Sequence, residues 1–155
     1  MNKTFAIAQL YPVIEEKLHA GGCITITTTG YSMLPMLNHH RDTVVLGPIT
    51  DMPHINDVVL YQRDNGSYVM HRIVGREKNG DYILCGDNQI YWEHHIKRQQ
   101  ILGILVAFTR KDRQVSCSSL CYKVYVYLLP VIRLLRHLLT WCRMQKGALN
   151  RLIHR

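Results

Sequence analysis

The sequence lacks an apolar run long enough to suggest a membrane-spanning helix. In its most apolar segment, residues 120–144, the longest stretch without a charge is nine residues long and contains Pro130. Arg133 and Arg136 follow within the same segment. An arginine at the centre of a bilayer costs roughly 2.5 to 3.5 kcal/mol on insertion scales, so spanning is disfavoured.

A signal peptide and a metal-binding cysteine motif are also missing. Residues 4–13 are only weakly apolar and include Gln9 and Pro12, which is not typical of a signal peptide. The five cysteines are an odd number, and Cys117 and Cys121 have no second ligand pair at metal-site spacing. We therefore expect reduced thiols, no metal or cofactor, and a cytoplasmic or peripheral membrane protein.

The net positive charge of the chain comes entirely from the residues after 109. Residues 1–109 carry nine Lys or Arg against ten Asp or Glu, whereas residues 110–155 carry ten against Asp112 alone, a net charge of +9. Such a basic segment suits an anionic surface. It lacks the interleaved aromatic residues and the recognition helix that favour nucleic acid, so no specific nucleic-acid partner is expected.

Local patterns predict three units: an N-terminal helix (1–22), a β domain (23–109) and a basic amphipathic C-terminal segment (110–155). Helical spacing of apolar residues covers 3–20. Strands are predicted at residues 23–29, 43–46, 58–62, 68–74, 82–85 and 101–109. Because tight turns and no helices separate these strands, the fold class is mainly β, with a compact antiparallel domain.

The C-terminal segment allows two interpretations. Residues 110–119 are predicted to be a polar connector, and residues 120–146 a helix with one apolar and one cationic side. This helix either lies on an anionic membrane surface or packs its apolar side on the β domain or in a dimer. The sequence does not separate these interpretations.

Ser32 stands in a turn suited to a nucleophile. It lies in Gly30-Tyr31-Ser32-Met33-Leu34-Pro35, directly after a β-branched strand. Gly30 permits an unusual backbone angle and Pro35 stiffens the chain beyond it, which would hold Ser32 beside backbone N–H groups. A serine hydroxyl also needs a base and an oxyanion site before it reacts.

His71 and two acidic residues supply the remaining polar groups. His71 interrupts the apolar strand 68–74, where an ionisable side chain needs solvent, a partner or a cleft. Asp87 lies in the turn Gly86-Asp87-Asn88, and Glu93 follows six residues later. Arg72, next to His71, is expected to form an ion pair at a strand edge.

Taken in order, these motifs resemble the signal peptidase superfamily, which includes the self-cleaving SOS-repressor peptidases. The resemblance covers about residues 23–108 and rests on Ser32-Met33-Leu34-Pro35, Asn56-Asp57-Val58-Val59, His71-Arg72-Ile73-Val74, Gly86-Asp87-Asn88 and the apolar run at 101–105. Most bacterial members use Lys as the base. The His71 of this chain resembles the archaeal and endoplasmic-reticulum branch, which uses Ser, His and an acidic residue.

The resemblance implies a serine endopeptidase that cleaves a leader or signal-like peptide. It implies Ser32 as nucleophile and His71 as general base, with Asp87 or Glu93 orienting the imidazole; Asp87 is slightly preferred because it belongs to the motif. Substrate pockets would be bordered by Met33, Leu34 and Pro35. The alternative for Met33 and Leu34 is that they only seal the core.

Two alternative functions are a noncatalytic binding module and a self-cleaving repressor domain. A noncatalytic module on the same fold would bind a peptide or a membrane, and it is favoured if His71 lies far from Ser32. A self-cleaving repressor domain has little support, because the chain has no helix-turn-helix segment before the β domain and no Lys at the base position.

Overall fold

The computed structural model describes residues 7–135, and its centre is an eight-stranded antiparallel sheet. The elements in chain order are α1 (Ile7–His19), β1 (Ile24–Thr27), β2 (Thr43–Gly47), β3 (Val58–Gln62), β4 (Tyr68–Arg76), β5 (Tyr82–Cys85), β6 (Glu93–Ile96), a 3₁₀ turn (Arg98–Gln100), β7 (Ile101–Arg110), β8 (Arg113–Ser116) and α2, which begins at residue 120 and is described to residue 135. The predicted mainly-β class, with an N-terminal and a C-terminal helix, is confirmed.

Strand β7 lies in the interior of the sheet. The strand order is β1-β2-β7-β3-β4-β5-β6, and β8 pairs with β7. Every residue from Val58 to Tyr61 in β3 is buried, so both faces of the sheet are covered there. Val59 and Tyr61 point into one apolar cluster, while Val58 and Leu60 point into clusters on the other face.

Helix α1 covers part of the second face. Its buried residues Tyr11, Ile14 and Leu18 recur at helical spacing and pack with Leu46 of β2 and Leu60 of β3. The helical pattern thus predicts this element correctly from residue 7 onward, and residues 1–6 of the predicted range lie outside the described residues.

Two strands were not predicted. β6 reads Glu-His-His-Ile, a polar run without the usual strand composition. β8 lies within the predicted connector 110–119, which is therefore wrong in that part, and the sheet continues past the predicted limit at residue 109. The β7–β8 turn uses Lys111 (φ 48°) and Asp112 (φ 61°), two residues that lack the glycine signature of such hairpins.

Helix α2 packs on the β domain along one side only. Tyr122 and Leu129 are buried, and Tyr125 and Val126 are partly buried against the cluster that contains Val58. Most of the opposite side is exposed and also apolar. The interpretation in which this helix docks on its own β domain therefore holds for one of its two sides. No helix among residues 7–135 is long and apolar enough to cross a membrane.

Adjacent leucines test this docking. Leu129 is 3% exposed and Leu128 is 44% exposed. Leu129→Ala is expected to lower the free energy of unfolding by about 2 to 5 kcal/mol because it leaves a cavity, whereas Leu128→Ala should cost less than about 1 kcal/mol. Urea unfolding followed by circular dichroism measures both. Equal losses would contradict the described orientation of α2.

Candidate active site

His71 is a fully buried ionisable side chain in the middle of β4. It pairs across the ladder with Val59 of β3 and is 1% exposed. Its Nδ1 lies 3.0 Å from Glu93 Oε1 and 3.1 Å from the hydroxyl of Tyr61. A buried imidazole needs such partners, because leaving its polar atoms without hydrogen bonds costs free energy.

Glu93 is held in place by Arg63. Arg63 Nε donates to Glu93 Oε2 at 2.7 Å, and Nη2 donates to Oε1 at 2.5 Å. Burial raises the pKa of Glu93, but hydrogen bonds from Arg63 and Tyr61 outweigh it and leave that pKa below its usual value. Glu93 is therefore an ionised carboxylate at neutral pH, and it fixes the proton of His71 on Nδ1.

The second ring nitrogen of His71, Nε2, has no hydrogen-bond partner among the described residues. Burial lowers the pKa of His71, and the nearby Glu93 carboxylate offsets only part of this. The imidazole is therefore neutral near pH 7, with an unprotonated Nε2. This atom is buried and makes no hydrogen bond within the described residues. Buried acceptors without a hydrogen-bond partner are rare in folded proteins. Those that do occur are often found at reactive sites.

Ser32 lies in a turn that is tied to the segment after β5. Gly30 adopts φ +88°, as the motif predicts. The backbone N–H of Asn88 donates to Ser32 O at 2.7 Å, and the Asn88 side-chain amide donates to Tyr31 O at 2.9 Å. Asn88 thus holds the peptide groups on both sides of Ser32.

Gly86 allows this close contact next to the strand of His71. A Cβ at Gly86 would lie 2.6 Å from Ser32 O, which a real side chain does not tolerate. Arg72 pairs with Cys85 in the β4–β5 ladder, so the next pair in this antiparallel register is His71 and Gly86. Ser32 O therefore lies next to Gly86, the residue opposite His71 when the ladder is extended by one pair. The Ser32 hydroxyl itself is not hydrogen-bonded to His71 Nε2.

Asp87 does not orient His71, and the slight preference for it in that role is wrong. Its Oδ1 and Oδ2 accept hydrogen bonds from Arg72 Nε (2.8 Å) and Nη2 (2.7 Å). Because successive residues of a strand point to opposite faces, Arg72 and His71 face away from each other. Arg72 is also not at an exposed strand edge as expected, since it is 1% exposed. Glu93 is the acidic residue on the His71 face.

Helix α2 completes the surroundings of the Arg72–Asp87 pair. Arg72 Nη1 donates to the hydroxyl of Tyr122 at 2.9 Å, and the hydroxyl of Tyr125 donates to Asp87 Oδ2 at 3.0 Å. Arg133 Nη2 donates to Gly86 O at 3.2 Å and lies 3.4 Å from Asp87 Oδ1. Three side chains of α2 therefore support the turn against which Ser32 rests.

The three predicted substrate-binding residues differ in position. Met33 is buried in the core cluster with Met36 and Val58, so it fits the alternative in which it seals the core. Leu34 is partly buried and Pro35 is exposed. Only these two remain available to contact a substrate at the surface of the turn.

No family model matches the chain, and no curated protein or solved structure matches it either. Any function proposed for the chain therefore depends on the geometry of the site. Among the described residues, no group of three or more His, Cys, Asp or Glu side chains is arranged to hold a metal ion.

Sequence reasoning missed two members of the site, Tyr61 and Arg63. Both lie at or just beyond the end of β3, and β3 pairs with β4 through Tyr61 and Val69. Tyr61 shares a face with His71 because its partner Val69 lies two residues from His71. Arg63 stands one residue past the strand. Their position in the predicted hairpin of strands 58–62 and 68–74 was the available signal. The pairing register is needed to show that they lie near His71.

The different roles of the two acidic residues predict different losses of stability. Asp87→Asn leaves Arg72 buried without a counter-charge and should lower the free energy of unfolding by about 3 to 5 kcal/mol. Glu93→Gln should cost roughly 1 to 2 kcal/mol, because Arg63 is partly exposed to solvent. Chemical denaturation at pH 7 compares the two variants. A larger loss for Glu93→Gln would contradict these assignments.

Proposed function

We propose that this chain is a serine endopeptidase resembling signal peptidases, with Ser32 as nucleophile, His71 as general base and Glu93 as the residue that orients the base. One observation carries the proposal: His71 is buried and neutral, its Nδ1 is fixed by an ionised carboxylate, and its Nε2 lacks a hydrogen bond. This is the protonation state that a general base for a serine hydroxyl requires. The fixed turn of Ser32 beside Gly86 adds support.

The proposed reaction has two halves. Ser32 Oγ attacks the carbonyl carbon of the scissile amide while His71 Nε2 takes the hydroxyl proton. The carbon–nitrogen bond then breaks, and His71 returns the proton to the departing amine. In the second half His71 takes a proton from water, the resulting hydroxide attacks the acyl ester, and Ser32 leaves and recovers the proton.

Charge on the reacting carbonyl oxygen requires a donor. The backbone N–H of Ser32 makes no hydrogen bond to another backbone group within residues 7–135. This N–H group is therefore available to donate a hydrogen bond to an oxyanion. Removal of one such donor costs other hydrolases about a hundredfold to a thousandfold in rate.

The substrate class proposed is an extended peptide or preprotein segment. An extended peptide pairs with backbone groups at a sheet edge. Strand β1 is at the end of the strand order, and the chain runs from β1 into the Ser32 turn. A peptide paired with β1 would thus lead toward Ser32, with Leu34 and Pro35 at the surface of the turn.

A noncatalytic peptide- or membrane-binding module is the second candidate. The observation that favours it is the missing hydrogen bond between Ser32 Oγ and His71 Nε2, since that nitrogen is buried without a partner. In peptidases without bound substrate this contact is often long, and it tightens when substrate binds. Activity measurements distinguish the two candidates.

The nucleophile assignment predicts a large loss of cleavage in one serine variant. Purified chain incubated with a complex peptide library should generate new peptide termini, detected by mass spectrometry. Ser32→Ala should reduce their rate of formation by at least about a thousandfold, because alanine has no hydroxyl to attack the scissile amide. Ser118→Ala, at an exposed serine, is the matched control and should cleave normally. Cleavage by Ser32→Ala at the normal rate would contradict Ser32 as the nucleophile, and no cleavage by the wild-type chain would leave the binding module as the better proposal.

The base assignment predicts an acid limb at unusually low pH. Because burial lowers the pKa of His71 below 6.5, kcat/KM should fall only when the pH drops below that value. Glu93→Gln removes a charge that raises this pKa, so the limb should move to still lower pH. The variant should also lose about a hundredfold or more in kcat, since the proton is no longer fixed on Nδ1. A limb that moves to higher pH would contradict the role of Glu93.

A further inference from the structure

Helix α2 has a second apolar side that is largely exposed to solvent among the described residues. Its exposed members recur every three or four positions and are Leu120, Val124, Tyr127, Leu128, Val131, Leu134 and Leu135. We call these seven residues the outer stripe. Tyr127, the most exposed, keeps 83% of its surface accessible. A continuous exposed apolar strip of this length marks an interaction surface on a folded protein.

A second group of exposed apolar residues follows the turn that α2 contacts. Ile90, Tyr91 and Trp92 are 62%, 83% and 57% exposed. This loop follows Gly86, whose carbonyl oxygen accepts a hydrogen bond from Arg133 of α2. Four residues span at most about 14 Å, so the loop begins close to the part of α2 around Arg133. Tyrosine and tryptophan are the side chains enriched where protein meets the headgroup region of a bilayer.

Charge identifies the occupant of this surface. Residues 110–155 carry a net charge of +9. Within residues 120–135 the charged residues are Lys123, which is exposed, and Arg133, which contacts the β domain. Two copies packed stripe to stripe would bring two segments of +9 together, which is electrostatically unfavourable. An anionic lipid surface instead satisfies both features, because apolar side chains enter the acyl boundary while Lys and Arg face phosphate headgroups.

We infer that the outer stripe of α2, together with the loop Ile90-Tyr91-Trp92, docks this protein on the surface of an anionic phospholipid bilayer. The inner side of α2 stays on the β domain, so the helix lies flat between the domain and the lipid. The turn of Gly86 and Asp87, which contacts the backbone of Ser32, is held against α2 by Arg133. This inference does not depend on peptidase activity and is tested by binding alone.

Two valines provide a matched test. Val131 in the outer stripe and Val13 in α1 are 53% and 57% exposed. Val131→Glu and Val13→Glu therefore introduce the same charge at similarly exposed positions. The full chain is sedimented with phosphatidylcholine vesicles with and without phosphatidylserine. Wild type and Val13→Glu should bind only vesicles that contain phosphatidylserine, and Val131→Glu should bind them roughly tenfold or more weakly. Equal losses in both variants, or no binding by wild type, would overturn the inference.

Tryptophan emission tests the loop. The chain has two tryptophans, Trp92 and Trp141, so Trp141→Phe leaves Trp92 as the sole probe. Its emission should shift to shorter wavelength when phosphatidylserine vesicles are added, because the indole leaves water. An unshifted spectrum in vesicle-bound protein would contradict the loop's part in the surface. A stable dimer in sedimentation equilibrium that Val131→Glu dissociates would assign the stripe to a second copy and overturn the inference.

Discussion

The buried ion pair between Arg72 and Asp87 is the interaction on which the rest of the structure depends. Removing an arginine from water is costly, and the cost is offset only when its donors find good acceptors. Arg72 meets this condition with two bonds to Asp87, one to Asn56 O and one to Tyr122. Each acceptor belongs to a different part of the chain. The requirement of one side chain therefore fixes the loop before β3, the turn after β5 and helix α2 relative to β4.

Strand β4 separates this structural pair from the reactive group by the alternation of its side chains. His71 and Arg72 are neighbours, yet they face opposite sides of the sheet and meet different carboxylates. Arg72 keeps its charge because a buried carboxylate compensates it. His71 meets a carboxylate that Arg63 already neutralises, so burial dominates and the imidazole stays neutral. One strand thus carries a buried cation on one face and a buried neutral imidazole, the proposed general base, on the other.

Sequence patterns predicted the strands well where composition and turns agreed. β3 and β5 begin and end at the predicted residues, since their β-branched and apolar residues are flanked within two positions by Asp or Gly. β6 was missed because its histidines and glutamate are present for contacts and not for propensity. The slight preference for Asp87 over Glu93 was wrong for a related reason: Asp87 lies in the sequence motif, but only the pairing register shows which face of the sheet each side chain takes. The sequence indicated Ser32, His71 and Glu93 as candidate site residues, whereas Arg63 and the contacts of α2 required the tertiary structure.

Helix α2 links the two surfaces of the molecule that carry its proposed functions. Its inner side donates to the turn of Gly86 and Asp87, and Asn88 of that turn holds the backbone of Ser32. Its outer side is the apolar stripe. A force that pulled α2 away from the β domain would break hydrogen bonds of Arg72 and Asp87 and release the Ser32 turn. Lipid docking through the outer side leaves the inner contacts intact, because the two sides share no residue. The arrangement therefore allows the protein to engage a surface through the same helix that keeps its proposed nucleophile in place.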